Sequence, residues 1–256
     1  MSKTVFVTGS TAGIGLTTAQ MLHETGHRVV LHARNQTRAV QSRSVLDTPV
    51  VVGDLSSLAE IEAIAEQVRS LGSMDVVIHN AGIYESGRRV ETVDGLERTF
   101  HVNVLAPYVL TALIPMPSRL VYLTSGMASG GQIILDDLQR QQRRWSATGA
   151  YQDSKLCDIA LALAMARRYP DTTVTAVCPG WVRTQMGGAG APTDVRTGSA
   201  TQVWLASSDE PAALRTGRYM RHMNELPIPP GATDRSIQQG LLDACARLSG
   251  ASLPSP

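Results

Sequence analysis

From residue 4 to residue 178 the chain alternates short, mostly apolar runs with longer segments of helical period. The runs cover residues 4–8, 28–33, 49–53, 74–79, 118–124 and 172–178. A strand with no polar face is buried on both sides, which is how a parallel sheet covered by helices reads in sequence. The segments between carry the helical period. In residues 56–71, Leu58, Ile61, Ile64, Val68 and Leu71 recur at steps of three and four. Residues 13–25, 92–113 and 150–169 read as further helices. The fold class that follows is α/β, a doubly wound, mostly parallel sheet of about seven strands with helices on both faces. A length of 256 residues fits one such domain, placed here at residues 1–249. Three segments break the rhythm. Residues 126–149 read as an insertion with a short helix of its own, 187–192 as a flexible glycine-rich loop, and 250–256 as a disordered tail.

Composition removes several function classes. Basic and acidic residues number 23 and 22, so nothing favours a nucleic-acid backbone or an anionic membrane. Aromatic residues are 4 % of the chain, too few for a base-stacking platform. The cysteines, Cys157, Cys178 and Cys245, are odd in number and far apart, so neither a disulfide framework nor a zinc knuckle is suggested. No HExxH, GxSxG or Walker lysine is present, and no metal is expected. With no signal-peptide pattern and no long apolar stretch, the expected location is cytoplasmic.

The first apolar run leads directly into Thr8-Gly9-Ser10-Thr11-Ala12-Gly13-Ile14-Gly15 and then a helix. Glycines let backbone approach a pyrophosphate, and a helix N-terminus faces negative charge, so this is the place for a dinucleotide. The glycines would equally make a tight turn. At the end of the second run an acid would bind a ribose 2′-hydroxyl, but the sequence reads His32-Ala33-Arg34-Asn35. Arg34 suits a 2′-phosphate, so NADP(H) is preferred, with NAD(H) as the other cofactor. The competing reading of Arg34 is a solvated surface arginine.

Tyr151 and Lys155 lie four apart, on one face of a helix. Six tyrosines and two lysines in the chain make this spacing a chance event at roughly 0.05 per sequence. An ammonium near a phenol favours the phenolate, which makes tyrosine an acid/base group at moderate pH.

The ordered motifs resemble those of the short-chain dehydrogenase/reductase family over residues 3 to about 248. They are TGxxxGIG at 8–15, Asp54-Leu55, Asn80-Ala81-Gly82, Asn103, Ser125, Tyr151-Gln152-Asp153-Ser154-Lys155 and Pro179-Gly180-Trp181-Val182-Arg183-Thr184. The resemblance implies a Rossmann fold. It also implies that Gly9, Ser10, Thr11, Gly13, Ile14 and Gly15 cradle the pyrophosphate, and that Asp54 and Leu55 flank adenine. Asn80, Ala81 and Gly82 then line a ribose, while Pro179, Gly180, Val182 and Thr184 hold the carboxamide end. Tyr151 becomes the general acid/base and Lys155 the ribose ligand that assists it. Ser125 binds the substrate oxygen, and Asn103 holds a water that relays protons. Simpler roles stay open: Asp54 as a helix cap, Asn80 and Ser125 as turn residues, Asn103 as a buried backbone partner, Ser10 and Thr11 as shapers of the turn.

The spacing from Ser125 to Tyr151, with Arg34, Ser154-Lys155-Leu156 and Thr216-Gly217-Arg218-Tyr219, is similar to the retinol dehydrogenase and carbonyl reductase-like branch. The implied activity is hydride transfer between NADPH and a small ketone, aldehyde or secondary alcohol. Substrate contacts are expected from residues 126–149 and 181–192, with Met127, Trp181 and Met186 as candidates and 187–190 as a lid. A homodimer or homotetramer through the Tyr151 helix and the next one is implied as well. Two other readings compete: an epimerase or dehydratase of the same family, and a non-catalytic NADP-binding sensor or scaffold.

Overall fold

In the computed structural model, which describes residues 1–255, each apolar run becomes a strand feeding side chains to both faces of one sheet. Strands β1 (Thr4–Val7), β2 (Arg28–Ala33), β3 (Val50–Val52), β4 (Val76–His79), β5 (Arg119–Leu123), β6 (Thr173–Val177) and β7 (Arg218–Arg221) are parallel. Their order is β3-β2-β1-β4-β5-β6-β7. An eighth strand, β8 (Asn224–Glu225), pairs antiparallel with β7. About seven strands were expected. The extra one is the two-residue return of a hairpin turning at His222 and Met223, whose φ values are 50° and 59°.

Alternation along each strand supplies two cores. Val5, Val7, Val29, Leu31, Val76 and Ile78 face one side, where α1 (Gly13–Glu24) and α7 (Val195–Ser207) pack. Phe6, Val30, Val77, Leu120 and Tyr122 face the other, under α3 (Leu58–Ser70), α5 (Ala106–Leu113) and α6 (Ala147–Arg168). Helix α9 (Arg235–Ser249) lies over α6 through Leu241, Leu242 and Cys245. Most of α6 is therefore buried within its own chain, Asp153, Ser154, Lys155 and Asp158 included. Of the two helices through which a second copy was expected to dock, α6 is covered by α9 and by α8 (Pro230–Thr233), whereas α7 packs on α1.

The expected helix over 92–113 begins late. Gly95 sits at φ 72° in a turn, and Glu97 caps α4 (Arg98–Phe100) by accepting from the Thr99 and Phe100 amides. The chain then passes through a π-helical stretch, His101–Leu105, before α5. A further helix, α2 (Gln36–Arg43), follows β2, with Asn35 as its cap. The 126–149 insertion holds two 3-10 turns, Gly126–Gly130 and Leu135–Asp137, in place of one short helix. Ion pairs tie it down: Arg140–Asp153 at 2.9 Å, Arg143–Asp137 at 2.8 Å and Arg143–Asp153 at 3.1 Å.

The tail was expected to be disordered, yet it packs. The Tyr108 hydroxyl donates to the Ala251 carbonyl at 3.1 Å, the Tyr169 hydroxyl donates to the Pro254 carbonyl at 2.8 Å, and Leu253 joins the larger core. Pro256, part of the same expectation, lies outside the described residues.

Candidate active site

The strand order reverses between β1 and β4, and open α/β sheets bind ligands in the crevice beyond the strand ends at such a point. A cleft of about 350 Å³ lies there. Its lining includes Gly9, Thr11, Gly13, Ile14, Gly15, Arg34, Asp54, Leu55, Asn80, Ala81 and Gly82. Tyr151, Lys155, Pro179 and Thr184 close its other end. A second cleft of about 600 Å³ adjoins it, and Ile14, Thr124, Tyr151, Pro179, Thr184 and Met186 line both.

The first cleft fits a dinucleotide. Gly9 (φ 62°) needs its missing side chain, because a Cβ there would lie 2.9 Å from the Ala81 Cα. At Gly15 a Cβ would collide with both the Gly9 carbonyl and the Asn80 amide nitrogen. Ala12, the N-cap of α1, offers no side-chain acceptor, so the first N–H groups of the helix are left for a ligand's oxygens.

His32 and Asn80 hold the glycine loop. The Gly9 amide donates to His32 Nδ1 at 2.9 Å, and Nε2 bonds the Gly53 carbonyl at 2.9 Å. Both bonds suit a neutral imidazole, and burial pushes the His32 pKa down. Asn80 Nδ2 donates to the Thr8 and Gly9 carbonyls, while its Oδ1 is buried with no partner. Ser10 does not line the cleft as expected. Its hydroxyl is buried, donating to the Val7 carbonyl at 2.8 Å and accepting from the His32 amide at 2.9 Å, so it joins β1 to β2. Asp54 lines the cleft and also accepts from the Ser56 amide and hydroxyl.

At the junction of the two clefts, α6 presents Tyr151 and Lys155. The Tyr151 ring packs edge-on against Tyr84 at 5.3 Å, and Lys155 Nζ lies 5.9 Å from the Tyr151 ring centre. The ammonium donates to the Leu123 carbonyl and to Asp158 Oδ2, both at 2.8 Å. Burial acts to lower the Lys155 pKa, but the charge and hydrogen bond of Asp158 together with Tyr151 outweigh it, and the net direction is up. For Asp158 burial dominates over the attraction of Lys155 and raises the carboxyl to about 6. Sequence reading passed over Asp158, although its i+3 spacing from Lys155 was the signal.

Ser125 begins the 3-10 turn after β5, accepts from the Met127 amide at 3.2 Å and lines the second cleft beside Tyr151. Asn103, in the π-helical stretch, accepts from the Ile83 amide at 2.8 Å and donates to the Ile83 carbonyl and the Ser154 hydroxyl. It reaches Lys155 only across Gly82, where a Cβ would lie 3.3 Å from Nζ and 3.5 Å from Asn103 Oδ1.

Met127, Trp181 and Met186 all line the second cleft and are exposed there. Gly180 and Val182, expected at the cofactor, line this cleft and not the first. Of the 126–149 insertion only Gly126 and Met127 reach it, because the Asp137 and Asp153 ion pairs hold the rest against α6. The glycine-rich loop expected to be flexible is a bonded turn. Trp181 Nε1 donates to the Gly187 carbonyl at 2.9 Å, and the Gly188 amide donates to the Thr184 carbonyl at 2.9 Å. Arg221, which sequence gave no reason to single out, also lines this cleft.

Among the described residues no helix is long and apolar enough to cross a membrane, and no group of three or more His, Cys, Asp or Glu could hold a metal. The short chain dehydrogenase family profile matches residues 3–194. An uncharacterized oxidoreductase of Emericella nidulans is 39 % identical over 98 % of each chain. Human retinol dehydrogenase 14 is 32 % identical over 94 % of this chain and 84 % of its own. A crystal structure of a protein from Mycobacterium paratuberculosis superposes with a TM-score of 0.85 at 26 % identity, covering 98 % of this chain and 95 % of that one. A reversed sheet with a glycine cradle at its switch point, read together with these relatives, places the chain in the short-chain dehydrogenase family of oxidoreductases, on its retinol dehydrogenase-like branch.

Proposed function

We propose that the protein is an NADP(H)-dependent carbonyl reductase or alcohol dehydrogenase acting on a small ketone, aldehyde or secondary alcohol. The observation that carries this reading is Tyr151, with Lys155 behind it, standing where the dinucleotide cleft opens into a separate cleft for a second molecule. A bound NADPH supplies the hydride. The chain's own residues orient the reactants and handle the proton. Tyr151 gives its phenolic proton to the carbonyl oxygen, or takes one from an alcohol in the reverse direction. Lys155, kept charged by Asp158, gives one proton to that carboxylate and one to the Leu123 carbonyl and has one left for a ribose hydroxyl. Ser125, lining the same cleft, donates a hydrogen bond to the same oxygen. Asn103 fixes the Ile83 backbone beside the Lys155 ammonium. Arg34, exposed at the cleft edge after β2, meets the 2′-phosphate.

The test is loss of NADPH absorbance against a panel of aliphatic, aromatic and dicarbonyl compounds, with NADH in parallel. Turnover with NADPH, reduced roughly 100- to 10,000-fold in Tyr151→Phe while NADPH binding persists, is the expected result. Arg34→Glu should reverse the cofactor preference. Full turnover by Tyr151→Phe would overturn the mechanism, and turnover chiefly with NADH would overturn the cofactor assignment.

A further inference from the structure

Of the residues lining the second cleft, only Arg221 carries a charge, and no carboxylate faces it there. The arginines on and just before the same hairpin behave differently. Arg218 pairs with Glu225 at 2.8 Å and Arg215 pairs with Glu225 at 3.3 Å, so the hairpin's carboxylate is already shared between two guanidiniums. Arg221 has no ion pair among the described residues.

The guanidinium lies along the cleft. Nη2 is 3.3 Å and Nε 3.6 Å from the place a Cβ would occupy at Gly180, so it is laid over the backbone that follows β6. Its charge also reaches the Tyr219 phenol, whose hydroxyl donates to the Ser125 carbonyl at 3.3 Å. The strand end that carries it is fixed. The hairpin turns at His222 and Met223, and the Met223 amide donates to the Thr201 hydroxyl on α7 at 3.2 Å. The Cys178 amide donates to the Met220 carbonyl at 2.9 Å, which joins the same strand to the cleft floor.

Resting on the reductase reading above, we infer that Arg221 selects the substrate, which is an oxo acid: a carbonyl compound with an apolar body and a carboxylate remote from the reacting carbon. Trp181, Met127 and Met186 supply the apolar wall for the body. One planar guanidinium matches one carboxylate in charge and in fork geometry, whereas a dianionic phosphate would call for a second cation. The carbonyl meets Ser125 and Tyr151 while the acid end meets Arg221, so the two contacts fix the orientation of the substrate.

The experiment compares 3-benzoylpropionate, 4-benzoylbutyrate and 5-benzoylvalerate with their methyl esters, using wild type, Arg221→Leu and Arg221→Lys. The three acids place the carboxylate at three distances from the carbonyl. For at least one acid, wild-type kcat/KM should exceed that for its ester by about 10-fold or more. Arg221→Leu should bring the acid-to-ester ratio of kcat/KM down to about 1, with NADPH binding read by nicotinamide fluorescence reporting an intact fold. Arg221→Lys should restore part of it. Binding of the same pairs to the NADPH-loaded Tyr151→Phe variant, read by nicotinamide fluorescence, gives the comparison without turnover. Acid-selective binding that depends on Arg221, with no reduction by wild type, would retain the inference and overturn the reductase reading. Reduction with no preference of any acid over its ester, or a preference untouched by Arg221→Leu, would overturn the inference and leave that reading in place.

Discussion

Lys155 has two oxygen partners within the chain, and only Asp158 among them is charged. Both members of the pair are buried. Removing one member of a buried pair leaves the other charge without compensation, which typically costs about 3–5 kcal/mol. Asp158→Ala is therefore expected to lower the unfolding free energy by that order, read from urea denaturation. Asp158→Asn keeps an acceptor for Nζ and should lose less. An Asp158→Ala variant as stable as wild type would show that the ammonium finds another partner. At this scale the sequence was uneven in what it disclosed. Tyr151 and Lys155 stood out because lysine is nearly absent from the chain, whereas Asp158 looked like one more acid in a helix. Ser10 had the position of a phosphate ligand, and only the buried bonds to Val7 and His32 show where its hydroxyl goes.

The elements that sequence made plain are those built from apolar runs. α7 was missed because it packs on α1 through polar side chains. The Ser199 hydroxyl donates to the Ile14 carbonyl at 3.2 Å, and Gln202 reaches Thr18, contacts that leave no hydrophobic period. β7 was missed because two of its four residues are arginines. The helix expected from residue 92 was cut short by Gly95 and by the Glu97 cap, both turn chemistry outweighing apolar spacing. The glycine loop, in contrast, was readable, and its tightest contact gives an element-scale test. Gly15→Ala drives a Cβ into the Gly9 carbonyl and the Asn80 amide. It should weaken NADPH binding by roughly 10-fold or more and cost about 1–3 kcal/mol of stability. Unchanged affinity by fluorescence titration would show that the loop can open without loss of the cradle.

For the molecule as a whole, buried histidines set the response to acid. Burial holds His79 down at about 3, and it also lowers His32 and His101. Between pH 3 and 6.5 the unfolded chain binds more protons than the native one at His79, so stability is lost as pH falls through that window. Each such histidine contributes about 1.4 kcal/mol per pH unit once the unfolded form is charged. Asp158 works the other way, because its raised pKa favours the native state as pH falls from about 6. Glu97, raised by burial, acts with Asp158, and His27, lowered by burial, acts with the other histidines, so four groups oppose two; the unfolding free energy should be lower at pH 5 than at pH 7, and His79→Phe should flatten the slope. A protein equally stable at both values would contradict the assignment of these rings as neutral.

α6 belongs to the core and to the site at once: the helix that carries Tyr151 and Lys155 is covered on nearly every side. Variation along it is punished twice, through folding and through chemistry, so it has little freedom to drift. The β7–β8 hairpin and the 181–193 turn stand at the rim, where Arg221 and Trp181 are exposed and few core contacts depend on them. Change at the rim therefore costs less than change along the helix. A lineage can acquire a new substrate by altering the rim while inheriting its proton chemistry unchanged.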